Sequence, residues 1–369
     1  MRLIRKLRRT QSVKILTVSP VPTYATWDVF EGHVQGLRAN GVEVERMEYS
    51  KIWNMFADFK EFMEVTGRAE YNSVNHTLLA GDRVVSAAIV LKPDLVHFIA
   101  PMHISPVTLR VLKEYANVKT SAYFTECPYD DEWAFRLAEF FDYCFVCDKV
   151  SVGPFRERNP NTHYVGHAYN PDVHHPNGKE REKEADVLFI GTNFPSRIAF
   201  LERVDWTGID LRLHGLMRLG ASPLKPYVRG DAAIPNASAI NLYRKARIGL
   251  QLHRKDGYDP IAARQGKKFG KGGLVGARPL TNLVAHSLGP RSYELAACGI
   301  FQICDEGRAE LREVFGDTVP TYKTPDDLSA LLRTYLDDPM RREELAQAQH
   351  EAIKPHTFEA RMRTLLEAL

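Results

Sequence analysis

Arginines, histidines and one glutamate recur just past apolar runs in the second half of the chain: Gly191, Thr192 and Arg197, then His253 and Arg254, then His286, then Arg291 and Glu294. A guanidinium matches the oxygens of a phosphate through paired hydrogen bonds, so residues of this kind at strand ends suit an anionic substrate. The stretch Ser-Leu-Gly-Pro-Arg-Ser-Tyr-Glu-Leu-Ala-Ala-Cys-Gly, 287–299, adds a second anion site. Pro290 fits the first turn of a helix, where its missing N–H costs nothing. The free N–H groups of that turn attract a diphosphate. Arg291 and Glu294, three apart, project from one helical face, so one can clamp phosphate while the other accepts hydrogen bonds from ribose hydroxyls. Glu294 stands among Leu and Ala residues, where an unpaired carboxylate would be costly to bury. Ala296, Ala297 and Gly299 allow close packing on a following strand, Ile300 to Cys304, with Gly299 suited to the helix stop. The pattern reads as a sugar-nucleotide site.

Moving a sugar also requires an acceptor hydroxyl to be placed or deprotonated and a leaving diphosphate to be stabilised. For the first task the N-terminal half offers Glu126, just past an apolar strand and before Pro128, and His103 in Pro-Met-His beyond another. His97 lies inside that second strand and reads as a core histidine. Tyr24 and Trp27, in the loop after the first strand, suit a sugar or a nucleobase. Lys267, Lys268 and Lys271 form a basic cluster that suits nucleic-acid phosphates or a solvated loop. No Asp-x-Asp pair stands at a strand end, so metal-independent transfer with no cofactor is expected. Asp130-Asp131 and Asp326-Asp327 fall at helix starts, where they cap. Cys144 and Cys147 lie in a buried strand with no second pair at metal spacing.

Short apolar runs alternate with helical patterns from Val13 onward, which is the signature of parallel βα units. Strands are expected at Val13–Ser19, Val42–Tyr49, Asp94–Ile99, Lys119–Thr125, Asp142–Cys147 and Thr162–Gly166, with helices between, among them Trp27–Asn40 and Ser73–Leu91. After a Pro- and charge-rich linker the alternation restarts at Asp186–Gly191 and continues through Asp210–His214 and Ile248–His253. The chain has 369 residues, more than one core usually organises. Two domains follow, 1–170 and 186–353, joined by a linker at 171–185. A helix in 354–369 is expected to pack back on the first domain, and ligands to bind beyond the carboxyl ends of the strands, in a cleft. The segment Asp256 to Leu283 is too glycine-rich for a core element and reads as a lid or acceptor loop. Net charge is +3, too small to diagnose a polyanionic partner. An odd number of cysteines, five, and a basic N-terminus without an apolar core point away from disulfides and a secretory signal. No apolar run reaches about 18 residues, so a cytoplasmic location without a membrane span is expected.

Asp-Val-Leu-Phe-Ile-Gly-Thr (186–192) with Arg197, Asn-Leu-Tyr-Arg-Lys-Ala-Arg-Ile-Gly-Leu-Gln-Leu-His-Arg (241–254) and the 287–299 stretch resemble the C-terminal half of CgeB-like glycosyltransferases. Thr-Glu-Cys-Pro-Tyr-Asp (125–130), His-Ala-Tyr-Asn-Pro-Asp-Val-His (167–174) and the tail His-Thr-Phe-Glu-Ala-Arg (356–361) are similar to the rest of that family, which occurs in bacteria and bacteriophages. The resemblance implies a GT-B fold of two Rossmann-like domains, with the acceptor on the first and a nucleotide-sugar donor, a UDP-sugar by default, on the second. It places the ribose contact on Glu294 and the diphosphate clamp on Arg197 with Arg291 or Arg254. Eight residues before Glu294, where related retaining enzymes carry a glutamate, this chain has His286, which leaves the stereochemical outcome open. The acceptor stays open as well: a hydroxymethylated or hydroxylated pyrimidine in DNA, or a surface glycan, protein or metabolite. A non-catalytic binding protein of the same fold is the alternative to an enzyme.

Overall fold

The computed structural model describes residues 12–21, 25–67, 73–176, 183–259, 263, 265–268 and 274–369. By contact the chain forms two units, Met1–Gly166 with Phe358–Leu369, and His167–Thr357.

In the first unit β1 (Lys14–Val18), α1 (Ala25–Ala39), β2 (Glu43–Met47), α2 (Tyr49–Val65), α3 (Ser73–Leu91), β3 (Leu95–Ile99), α4 (Pro106–Glu114), β4 (Lys119–Phe124), α5 (Asp131–Ala138), β5 (Tyr143–Val146), α6 (Val152–Arg156) and β6 (Thr162–Tyr164) follow one another. The strands are all parallel, in the order β2-β1-β3-β4-β5-β6. Every residue of β3 is buried, the continuous apolar run of a parallel sheet covered on both faces. His97 within it is satisfied in the core: Nδ1 lies 2.8 Å from Ser121 Oγ and Nε2 lies 3.0 Å from His33 Nδ1. Cys144 lies buried in β5, where burial pushes its thiol up to about 12. The 17-residue α2 has no counterpart in the sequence reading. Its outer face carries exposed Met55, Phe59 and Phe62, which blur the apolar period that marks a helix. Trp27, expected where the first loop meets the Trp27–Asn40 helix, sits in the first turn of α1 against Phe30.

The second unit runs β7 (Ala185–Ile190), α7 (Pro195–Leu201), β8 (Leu211–His214), α8 (Asn236–Arg244), β9 (Ala246–Gln251), β10 (Asp256–Tyr258), β11 (Ala277–Pro279), α9 (Pro290–Ala297), β12 (Gln302–Asp305), α10 (Ala309–Phe315), β13 (Thr321–Tyr322), α11 (Pro325–Asp337) and α12 (Pro339–Ile353). Its main sheet is parallel, ordered β13-β12-β9-β7-β8. Val187, Phe189, Leu211, Leu213, Ile248 and Leu250 fill one face of this sheet. Thr324 and Asp327 close a capping box on α11, as the Asp326-Asp327 reading expects. Asp130 departs from that reading, since its side chain makes no cap bond on α5.

The last helix, α13 (Phe358–Ala368), belongs to the first unit and packs on α1. Contact is close because α1 presents Gly32 to the Phe358 ring and Gly36 to the Phe358 backbone. Asn40 Nδ2 then donates to Glu359 O at 2.9 Å. A Cβ at position 36 would stand 2.5 Å from the Phe358 carbonyl oxygen, a backbone atom that no rotamer change can move. Gly36→Ala is therefore expected to destabilise the first unit by about 1–3 kcal/mol. Gly153→Ala, with no atom within 4 Å, is the control and should leave thermal unfolding unchanged. Equal melting temperatures for the two variants would show that α13 does not depend on this contact.

Candidate active site

In the second unit the strand order reverses between β7 and β9, and a crevice opens there beyond the carboxyl ends of the strands. The backbone turns sharply at this edge. Gly191 leaves β7 with its N–H on His214 O at 2.9 Å, and Gly215, at φ +101°, comes so close to Gly191 that a Cβ would collide with its carbonyl. Arg197, on α7, braces the crevice: Nε donates to Leu252 O at 2.8 Å and Nη1 to Thr192 O at 3.4 Å. Its guanidinium lies 5.3 Å from the Phe194 ring centroid, and that of Arg254 lies 4.7 Å from the same ring. Two cations thus pack on one aromatic ring. The start of α7 itself is closed, since buried Asp256 accepts from Ser196 N at 3.2 Å and from its hydroxyl.

His253 follows β9 directly, and the last residue of β12, Asp305, holds it. Asp305 Oδ1 accepts from His253 N at 2.8 Å and lies 2.7 Å from Nδ1. Burial pushes the Asp305 carboxyl up, but the hydrogen bonds from His253 and the nearby Lys255 hold the acid below its ordinary range. Burial presses the imidazole down more strongly than Asp305 raises it. The pair is thus a carboxylate and a neutral ring. Cys304 Sγ, 3.6 Å from Nδ1, completes a group of three ligand types within 4.8 Å of one another. The 2.7 Å contact is a hydrogen bond and leaves no room for an ion between ring and carboxylate, since each would need about 2 Å to a metal.

Arg308 ties this edge to the start of α9, with Nη2 on Arg254 O at 3.2 Å and Nη1 on Ser287 O at 3.3 Å. Buried Glu310 accepts from Leu288 N. Asp305, Arg308 and Glu310 are absent from the sequence-level candidates. The run Asp-Glu-Gly-Arg-Ala-Glu after an apolar strand carried the signal. Gly289 is the N-cap of α9, with Pro290 next and no side-chain cap bond, and Ser292 N donates to Gly289 O at 3.2 Å. Glu294 is buried, and Tyr243 on α8 donates to its Oε2 at 3.0 Å. Arg291 Nε is buried and makes no hydrogen bond. His286 Nε2 lies 3.0 Å from Glu313 Oε1.

The glycine-rich segment differs from its reading as a loop throughout. Its ends pair as an antiparallel ribbon, Asp256 with Pro279 and Tyr258 with Ala277, and Asp256 and Ala277 are fully buried. An apolar or capping residue at each end suffices to anchor it despite the glycines between. Lys267 and Lys268 are exposed, and Lys271 lies outside the described residues, as does Tyr24. In the first unit His103 sits in the turn after β3, its ring 4.8 Å from that of Trp53, and burial followed by the nearby His76 lowers it. Glu126 follows β4 and is exposed. Beyond it Asp131, expected as a cap, instead accepts from Ser151 Oγ at 2.6 Å. Burial pushes its carboxyl up to about 6, against the pull of that hydroxyl, which suits proton exchange near neutrality.

No curated protein sequence matches this chain. A family model described as glycosyl transferase-like matches residues 197–367, which span Arg197, His253, Asp305 and α9. Among solved structures, Anabaena HepE in complex with UDP and glucose aligns over 97% of this chain and 100% of its own, at TM-score 0.60 and 11% identity. Sucrose-phosphate synthase from Thermosynechococcus elongatus aligns over 96% and 98%, at 0.57 and 11%. The DNA modifying enzyme beta-glucosyltransferase, solved in the presence and absence of uridine diphosphoglucose, aligns over 96% and 99%, at 0.56 and 13%. At these identities the likeness is one of fold. No helix among the described residues is long and apolar enough to cross a membrane. The chain thus has the GT-B fold of these structures and carries a glycosyl transferase-like region at residues 197–367.

Proposed function

We propose that the second unit binds the diphosphate of a UDP-sugar and that the chain, a CgeB-like enzyme, transfers the sugar to a hydroxyl of a modified pyrimidine in DNA. The observation that carries the donor reading is the convergence of Arg197 and Arg254 on Phe194 at the strand-order reversal. Like charges brought together at a site are stabilised by an anion between them. The positive end of α9, which no N-cap side chain closes, adds its attraction, with Arg291 in the first turn. Glu294, held by Tyr243, keeps its other oxygen for the ribose hydroxyls. The leaving diphosphate then departs against fixed cations, with no metal required of these residues.

The acceptor base belongs to the first unit. Glu126 and His103 are candidates by position, and Asp131 joins them by its raised carboxyl. DNA is favoured as acceptor by the exposed Lys267 and Lys268. A DNA modifying glucosyltransferase of the same fold supports that choice.

Arg254→Ala is expected to weaken UDP binding by about tenfold to a hundredfold, the loss of one charged hydrogen-bonding partner at about 1.5–3 kcal/mol. Glu294→Gln should do the same for UDP but leave inorganic diphosphate binding unchanged. Calorimetric titration measures both, and equal UDP affinity in all three proteins would refute the donor site. On the acceptor side, duplex DNA should bind more weakly as salt rises from about 50 to 200 mM. Replacing both Lys267 and Lys268 by Ala should reduce the log–log salt slope by about 2. No binding at the lower salt would assign the acceptor to a glycan, protein or metabolite instead.

A further inference from the structure

Resting on the donor reading, we infer that the His253–Asp305 pair takes up a proton when a nucleotide-sugar diphosphate binds, and presents it to a phosphate oxygen from His253 Nε2. Asp305 Oδ1, an acceptor only, lies 2.7 Å from Nδ1, so the ring must carry its hydrogen there. Nε2 is then a bare lone pair. That atom is buried and has no hydrogen-bond partner. A phosphate oxygen is likewise an acceptor only, so the two can meet only if Nε2 gains a proton.

The surroundings set when this happens. Arg197 from α7 and Arg308 from the turn after β12 act on the ring and oppose its protonation, while Asp305 favours it. Cys304, buried beside it on β12, has its thiol raised by burial and stays uncharged. Tyr322 on β13 is raised too and donates to Gln251 O at 2.6 Å. Lys255 Nζ stands 3.9 Å from Asp305 Oδ2. Without ligand the cations and burial keep the ring neutral. A diphosphate engaged by Arg197 and Arg254 offsets the opposition of Arg197 and adds its own negative charge, and both changes raise the imidazole. The proton comes from solvent, and no bond other than N–H forms. His253 is thereby a substrate contact that switches on with its substrate, and Asp305 is the residue that positions it by fixing the tautomer.

The test is titration of the protein with UDP-glucose, whose diphosphate releases no proton near neutrality, in buffers of different ionisation enthalpy. Wild type is expected to take up close to a full proton per nucleotide just above neutral pH. Over that same range its affinity should fall by about tenfold per pH unit, and level off once the pKa of the bound ring is passed. Asp305→Asn lets the ring keep its hydrogen on Nε2 instead, and His253→Gln supplies an amide that never titrates. Both should bind with little uptake and a flatter pH dependence. UDP-glucose binding by wild type with a heat independent of the buffer would overturn the inference and leave the donor site standing. Failure of both UDP-glucose and UDP to bind would overturn the two together. Since the wild-type result decides alone, a variant that folds poorly does not shield the idea.

Discussion

The second unit depends on one constraint: where a parallel sheet reverses its strand order, the loops after the two central strands leave for opposite faces and the strand ends are left with backbone oxygens to satisfy. Arg197 meets that need between β7 and β9 by donating to Leu252 O and Thr192 O. A guanidinium is suited to this because its donors fan out in a plane and one end can brace the chain while its face packs on Phe194. The positive charge of Arg197 is thus held by the same contacts that close the fold. Arg308 repeats the arrangement one loop away, joining Arg254 O to Ser287 O. Donor geometry and local stability cannot be separated at these two residues, which is why Arg254 reports more directly on ligand.

Burial decides what the acids of the site do. Asp256, Glu294, Asp305 and Glu310 are all buried, and each has a hydrogen-bond donor that keeps its carboxyl from being stranded. Asp256 is spent on the start of α7, and Glu310 on Leu288 N ahead of α9. One helix start is therefore closed by a distant carboxylate and the other, at Gly289 and Pro290, has no side-chain cap. Sequence position alone does not distinguish the two starts, since both carry Pro in the first turn. The difference comes from Asp256, some sixty residues from Ser196 along the chain.

This long-range origin also explains what could be read in advance. The alternation of apolar runs with helical periods yields both parallel sheets and the return of α13, because each buried strand writes its own pattern. His253 and Arg254 were singled out because they come just past such a run, Arg197 because it follows a strand-to-glycine turn, and Arg291 and Glu294 because they follow a Gly-Pro helix start. Asp305, Arg308 and Glu310 were not, since an acid after a strand looks the same whether it faces water or a histidine on the neighbouring strand. Asp131 misled for a related reason. A carboxylate at a helix start is a fair sign of capping, yet Ser151 from another element took its oxygen. The ribbon of β10 and β11 was hidden by glycines, whose effect on propensity is local while Asp256 and Ala277 are held by packing from outside the segment.

Two histidine–carboxylate pairs flank α9, and the contrast between them separates a contact that merely exists from one that can act. His286 meets Glu313 at 3.0 Å with the glutamate side chain 49% exposed, so water and salt screen the pair and either partner can turn away. His253 meets Asp305 at 2.7 Å with both side chains under a tenth exposed, so the ring is fixed, its tautomer is set, and the charge of any arriving anion acts on it unscreened. The capacity to respond to the diphosphate then rests with His253, whose chemistry comes from a carboxylate that only the pairing of β9 with β12 brings alongside.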